Sequence, residues 1–301
     1  MKEIIFLFGA GASFGAGDII PERPPLGSQL YSVLSKNYPR SWGNLPPEVK
    51  SRFENDNFEN GMSILYEHYS QIIPELMSQM AIYMIQFRPH SGSSLYCRLI
   101  KYLHEHNLIY STLFSTINYD CIIEFSLLGQ GISISYFDEG QENKSVPVWK
   151  LHGSCNMFAK DIKASGILYS KDVVFEGGLE ASLDIGTVIE NCLANQSLAP
   201  AMCLYMRGKP IQISPFIILH LQCLWAYQIF NCKKLFCIGV NPWPEDKHIW
   251  EPLSSTHAHI YFIGDHEKYD RWISEKRNNP SEYIGSSFHE GITLIERSIN
   301  E

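Results

Sequence analysis

The stretch Ile4-Ile5-Phe6-Leu7-Phe8-Gly9-Ala10-Gly11-Ala12-Ser13 decides the fold class. Consecutive branched and aromatic apolar residues halted by a glycine read as a strand buried on both faces, the kind found inside parallel sheets. The small residues that follow let the backbone turn tightly and approach a ligand closely, and free N–H groups in such a turn suit a diphosphate. A strand-to-helix turn with no ligand explains the same residues. The motif is not a P-loop, because no Gly-Lys-Ser/Thr follows it. It also departs from the dehydrogenase fingerprint. Phe14 stands where the third glycine belongs, and no Asp or Glu between Glu22 and Glu48 is available to take a ribose hydroxyl.

Working outward, residues 40–110 carry apolar positions at three- and four-residue spacing, such as Met62, Leu65, Tyr66 and Tyr69, and are expected to be helical. Strands are expected at Ser111–Ile117, Ile132–Phe137, Pro147–Leu151, Lys234–Val240 and Ala258–Ile263. Helices are expected at Cys121–Leu128, Ile185–Ala194, Ser214–Phe230 and Glu245–Leu253. Strands alternating with helices predict an α/β fold, a Rossmann-like parallel sheet with helices on both faces. We expect one domain over residues 1–301, with helical insertions near 40–90 and 155–200.

Two further segments carry chemistry. Ser115-Thr116-Ile117-Asn118-Tyr119-Asp120 leaves a strand and enters a helix, and open α/β sheets bind ligands at that carboxyl edge. Capping of the helix by Asn118 or Asp120 is the plainer reading of the same residues. Lys150-Leu151-His152-Gly153-Ser154 sets a histidine at a strand end, suited to general-base work near neutral pH. A structural histidine bonded to a carbonyl is the alternative.

The chain has 301 residues, 45% of them hydrophobic, with 24 basic against 32 acidic side chains and a net charge of −8. That composition excludes intrinsic disorder, and the negative balance argues against nucleic acid or anionic membrane as the main partner. The eight cysteines include no C-x-x-C pair, so no four-thiolate zinc module is encoded, and we read them as reduced cytoplasmic thiols. Residues 210–232 carry no charge. Their prolines, glutamines and histidine favour a helix buried beside the sheet over a membrane span.

Taken in order, Gly9-Ala10-Gly11-Ala12-Ser13, then Thr116-Ile117-Asn118-Tyr119-Asp120, then Leu151-His152-Gly153-Ser154 resemble the sirtuin superfamily. Within it they resemble the bacterial sirtuin-like NAD+ hydrolases of antiphage defence, such as the sirtuin-like domain of the Thoeris effector. Cys237-Ile238-Gly239-Val240-Asn241-Pro242-Trp243-Pro244-Glu245-Asp246 is similar to the superfamily's later element, with Val240 and Asn241 where Tyr-Ser is usual.

The resemblance implies that Gly9, Ala10, Gly11, Ala12 and Ser13 take the diphosphate of NAD+, with Gly153, Ser154 and Gly239 also in the nucleotide site. Asp120 would orient the carboxamide. Asn118 would position the ribose and the attacking water, and His152 would accept a proton. Protein deacylases of the superfamily carry a zinc module, and here a helical sub-domain is expected in its place. Water is then the nucleophile, NAD+ is a substrate, and no zinc or other metal is expected. Such an effector is expected in the cytoplasm, as a homo-oligomer. Few residues follow the last expected strand, so we expect control by a separate regulatory protein, an ATPase or nucleotide-binding partner. A non-catalytic module binding NAD+ or ADP-ribose, or a deacylase or ADP-ribosyltransferase, is the alternative.

Overall fold

In the computed structural model, residues 2–90, 92–137, 144–162, 174–194, 198–206, 208–243 and 245–300 are described. The chain begins with β1 (Ile4–Phe8), α1 (Ala10–Phe14), β2 (Ile19–Ile20) and α2 (Gly27–Asn37). Helices α3 (Pro47–Asn55), α4 (Phe58–His68) and α5 (Ile73–Met84) follow, then β3 (Arg88–Pro89) and α6 (Leu95–Glu105). Next come β4 (Thr112–Thr116), α7 (Ile122–Leu128), β5 (Ile134–Ser135) and β6 (Val146–Lys150). The remainder is β7 (Met157–Lys160), β8 (Gly178–Ala181), α8 (Ile185–Ala194), α9 (Pro215–Asn231), β9 (Lys234–Ile238), α10 (Lys247–Ser255), β10 (His259–Ile263), α11 (His266–Lys276), β11 (Ser281–Gly285) and α12 (Phe288–Asn300).

Seven strands form one sheet in the order β11-β10-β9-β1-β4-β6-β5. Each neighbouring pair is parallel. The chain moves outward from β1 through β4 and β6, then returns to the other side of β1 for β9, β10 and β11. This is a Rossmann-like doubly wound sheet. Its reversal falls between β1 and β9, where the carboxyl ends of strands leave a crevice for ligands.

Alternation along β1 explains why both faces are covered. Phe6 and Phe8 join one apolar cluster with residues of α2–α8 and α12. Ile5 and Leu7 join the other, with α9, α10 and α11. Phe6 stacks on its in-register partners Phe114 and Phe236 at centroid distances of 5.6 and 4.9 Å. Such pairs add to the burial of the rings themselves.

Several expectations need correction. The insertion near 155–200 is not wholly helical, because β7 and β8 pair antiparallel before α8. Residues 163–173 and 195–197 of it, and Pro244 of the later motif, lie outside the described residues. The expected strand at Ile132–Phe137 shortens to β5. β11 was not expected, because at the sheet edge Ser281–Gly285 buries only Ile284 and shows no apolar run. α9 is buried on one face only. Leu221, Trp225 and Ile229 pack inward, while Phe216 is 72% exposed, and Leu219, Tyr227 and Phe230 are also exposed. Absence of charge marks a helix as apolar, not as enclosed. No described helix is long and apolar enough to cross a membrane.

Candidate active site

The turn after β1 is held against the turn after β9. Gly9 N–H donates to Ile238 O and Gly11 N–H to Gly239 O, each at 3.0 Å. Two amides expected to face a diphosphate are therefore used inside the protein. Glycine is required here for close approach. A Cβ on Gly239, where φ is +65°, would lie 2.1 Å from Ala12 N, and one on Gly9 would lie 2.5 Å from Gly239 O. Gly239→Ala is expected to destabilise the protein by more than the ~1–2 kcal/mol that left-handed backbone costs a residue with a Cβ, measured by urea unfolding. Gly17, with φ +87° and open space around it, is the comparison site, where Ala pays the backbone cost alone. Equal losses at the two positions would show that the two turns do not depend on this contact.

Ser13, on α1, is the hub of the next layer. Its Oγ donates to Asp120 Oδ2 at 3.0 Å, accepts from Asn118 Nδ2 at 3.1 Å and lies 3.2 Å from Tyr96 OH. Burial, and then the Asp120 charge, hold the Tyr96 phenol well above its usual pKa. It therefore stays protonated and donates, which fills every position on the serine hydroxyl. Thr116 sets this up at the end of β4: its Oγ1 donates to Phe8 O at 3.1 Å and accepts from Asn118 N at 2.9 Å. Asp120, one residue before the N-cap Cys121, accepts from the first amide of α7, Ile122 N, through Oδ1 at 3.2 Å. Asp120 thus takes one free N–H of the helix start with one oxygen, without being its N-cap, and the link to Ser13 engages the other.

Beneath this layer lies a buried ion pair. Lys150 and Glu124 are both fully buried, with Nζ 3.2 Å from Oε1. Lys150 Nζ also donates to Asp120 O. Burial pushes the Asp120 and Glu124 carboxyls up, and the Lys150 charge opposes it. Burial also works against the Lys150 ammonium, but the surrounding anions, Glu124 foremost, hold its pKa above the usual lysine value.

His152 occupies a separate pocket of polar groups. Its Nε2 lies 2.8 Å from His248 Nε2 and 4.0 Å from Asp246 Oδ1. Lys209 Nζ lies 3.9 Å from the same Asp246 oxygen and 2.6 Å from Glu59 Oε1. Burial, then the neighbouring His248 and Lys209, keep the His152 pKa well below the ordinary histidine value, so it is neutral. Burial and Lys209 bring His248 down to about 4. Burial raises Asp246 to about 6.

A strap of residues 199–206 is hydrogen-bonded to the turn that carries His152. Cys203 N donates to His152 O at 2.8 Å and Ser154 N to Ala201 O at 2.9 Å. Gln222 of α9 pins the same turn through Leu151 O at 2.7 Å. Gly153, at φ +73°, has no room for a Cβ, which would fall 1.8 Å from Ala201 O. His152 is left 3% exposed. A cavity of about 270 Å³ is lined in part by Met202 and Leu204 of the strap with Met77, Phe175 and Ile213, and by none of the polar residues above.

Every site residue named from sequence therefore sits at the carboxyl edge of the sheet, in two groups. Ser13, Asn118 and Asp120 are joined by side-chain hydrogen bonds, with Gly9, Ala10, Gly11, Ala12 and Gly239 forming the turns beside them. Ser154 Oγ bonds Tyr119 O at 3.2 Å and ties the second group to the first. The His152 imidazole meets His248 rather than Asn118. Sequence reading did not single out Tyr96, Glu124, Lys209, Glu59 or His248. Lys209 and Glu59 meet across a separation of 150 residues, and no local pattern joins them.

No protein-family model matches the chain, and no curated protein matches it. Among solved structures, a crystal structure of Sir2 with the inhibitor EX-527, 2′-O-acetyl-ADP-ribose and a deacetylated p53 peptide is similar to it. The identity is 12% and the TM-score 0.44, covering 98% of this chain and 91% of that one. The fold assignment rests on the strand order and parallel register of the sheet itself, a Rossmann-like arrangement.

Proposed function

We propose that this chain is an NAD+ glycohydrolase, a triggered effector of antiviral defence that acts by depleting NAD+. The observation that carries the reading is the meeting of Ser13, Asn118 and Asp120 at the reversal of a doubly wound sheet, with a neutral buried imidazole on the same edge. The nicotinamide–ribose bond breaks with oxocarbenium character and a leaving group that is already cationic, so no acid is needed. The protein must hold the dinucleotide, orient the carboxamide and admit water. In this reading the turns after β1 and β9 lie at the diphosphate end, where the Gly9 and Gly11 amides must leave Ile238 O and Gly239 O to take it, Asp120 and Asn118 face the nicotinamide and ribose, and His152 takes the proton. The products are nicotinamide and ADP-ribose.

The closed state of the site fits an enzyme that is silent until triggered. His152 is buried, so the groups around it must move before water and ribose reach it. We assign the trigger to a separate regulatory protein, an ATPase or nucleotide-binding partner, or to homo-oligomer formation, in the cytoplasm. All eight cysteines are free, which agrees with a reducing compartment.

One observation favours a second reading. The Ser13 hydroxyl is saturated by internal hydrogen bonds and each Asp120 oxygen already accepts one, as befits a module that binds NAD+ or ADP-ribose without cleaving it. Chromatography of NAD+ incubated with the protein, alone and with the products of neighbouring genes, separates the two. We expect nicotinamide and ADP-ribose in equal amounts, with release rising when the partner is added. Calorimetric binding of NAD+ with no nicotinamide under any condition would leave the binding module as the function.

A further inference from the structure

We propose that His152, His248 and Asp246 form a site for one divalent transition-metal cation of the zinc class. His152 follows the carboxyl end of β6, and Asp246 and His248 open α10. One donor atom from each lies within 4.8 Å of the other two. The two imidazoles aim Nε2 at each other across 2.8 Å. Asp246 Oδ1 stands 4.0 Å from His152 Nε2. Zinc bonds to imidazole and carboxylate run at about 2.0–2.2 Å, so two ligands of one tetrahedral ion stand roughly 3.3–3.6 Å apart. From separations of 2.8 Å, 4.0 Å and at most 4.8 Å, rearrangements of up to about an ångström and a shift of the shared proton to Nδ1 set all three donors around one ion.

An independent observation points the same way. The Asp246 side chain is 9% exposed, and its Oδ1 accepts no hydrogen bond from any described group. A buried carboxylate oxygen without a donor is costly, and native proteins rarely leave one. The nearest cation, Lys209, stands off at 3.9 Å because its ammonium is committed to Glu59 at 2.6 Å. Lys209 is held by Glu59, which leaves the Asp246 carboxylate facing the two imidazoles.

Donor chemistry selects the ion. Two imidazoles and one carboxylate, with a fourth position open to water, suit Zn2+ and its first-row neighbours. Ca2+ and Mg2+ prefer oxygen alone. The cysteine spacing that rules out a four-thiolate module says nothing against such a site. A cation here takes the Nε2 lone pair of His152, so loading excludes base work at that atom. The binding site itself stands whether or not the chain hydrolyses NAD+.

The test is titration of chelator-stripped full-length protein with Co2+, followed by its visible absorption, and with Zn2+ in a calorimeter. We expect one ion per chain, a visible cobalt band without the intense near-ultraviolet band of thiolate ligation, and displacement of Co2+ by Zn2+. His248→Ala and Asp246→Asn should each weaken binding by no less than the about 10–100-fold that loss of an outer-shell partner costs. His220→Ala, on the exposed face of α9, should leave it unchanged. Wild-type protein that takes up no ion at one per chain overturns the proposal. So does a thiolate band, or undiminished affinity in both folded variants. If neither variant folds, the wild-type stoichiometry and spectrum decide the matter.

Discussion

His152→Ala and Asn118→Ala are each expected to abolish nicotinamide release, lowering kcat by the ~10²–10⁴-fold that a positioned proton acceptor or an orienting group supplies. The two side chains fail differently. Without His152 the water or ribose hydroxyl has no neutral nitrogen to take its proton, and a second imidazole, His248, is left on α10, 96 residues away in sequence. Without Asn118 the Ser13 hydroxyl loses one of its donors and the ribose loses its guide, while the fold keeps the Ser13–Asp120 bond. The assay is single-turnover release under the triggering condition, with circular dichroism to check that each variant is folded. Wild-type rates in both variants would remove these residues from the chemistry and place the cleavage on other groups.

The second large effect is on stability. Lys150→Met is expected to cost about 3–5 kcal/mol, because it strands the Glu124 carboxylate in a fully buried position. Among the described residues its Oε2 has no hydrogen-bond partner, and Oε1 keeps the Tyr136 hydroxyl at 3.3 Å but no cation. The midpoint of thermal unfolding should fall on the order of 10 °C. The double variant Lys150→Met/Glu124→Leu should recover much of the loss, since removing both charges also removes the desolvation that the pair has to offset. Urea unfolding of the two single variants and the double completes the cycle. A double variant no more stable than Lys150→Met would mean that the pair is held for something other than its charge. The Lys150 bond to Asp120 O is the first place to look, since it ties β6 to the loop carrying Asn118.

These effects also show where the sequence was informative. Ile4–Phe8 and Ile185–Ala194 were expected with the bounds they have, and the interior strands differ by a residue or two. Buried parallel strands write their burial as an unbroken apolar run, which is a local signal. β11 lacks that run because an edge strand is half solvated, and β7 and β8 lack it because they lie outside the main sheet. The uncharged stretch that became α9 misled in the other direction, since composition reports polarity and not which face finds a neighbour.

By itself the sequence determined that a parallel α/β sheet would form and that the segments around Gly9, Asn118 and His152 would end on its carboxyl edge. Strand burial and glycine turns are encoded within a few residues, and the direction of a parallel sheet does the rest. Only the tertiary structure decided which side chains meet there. The Ser13 hydroxyl is filled by Tyr96, Asn118 and Asp120, and His152 faces His248 and Asp246. Those contacts join segments distant in the chain, and they follow from how helices and loops pack over the sheet rather than from any pattern within one segment.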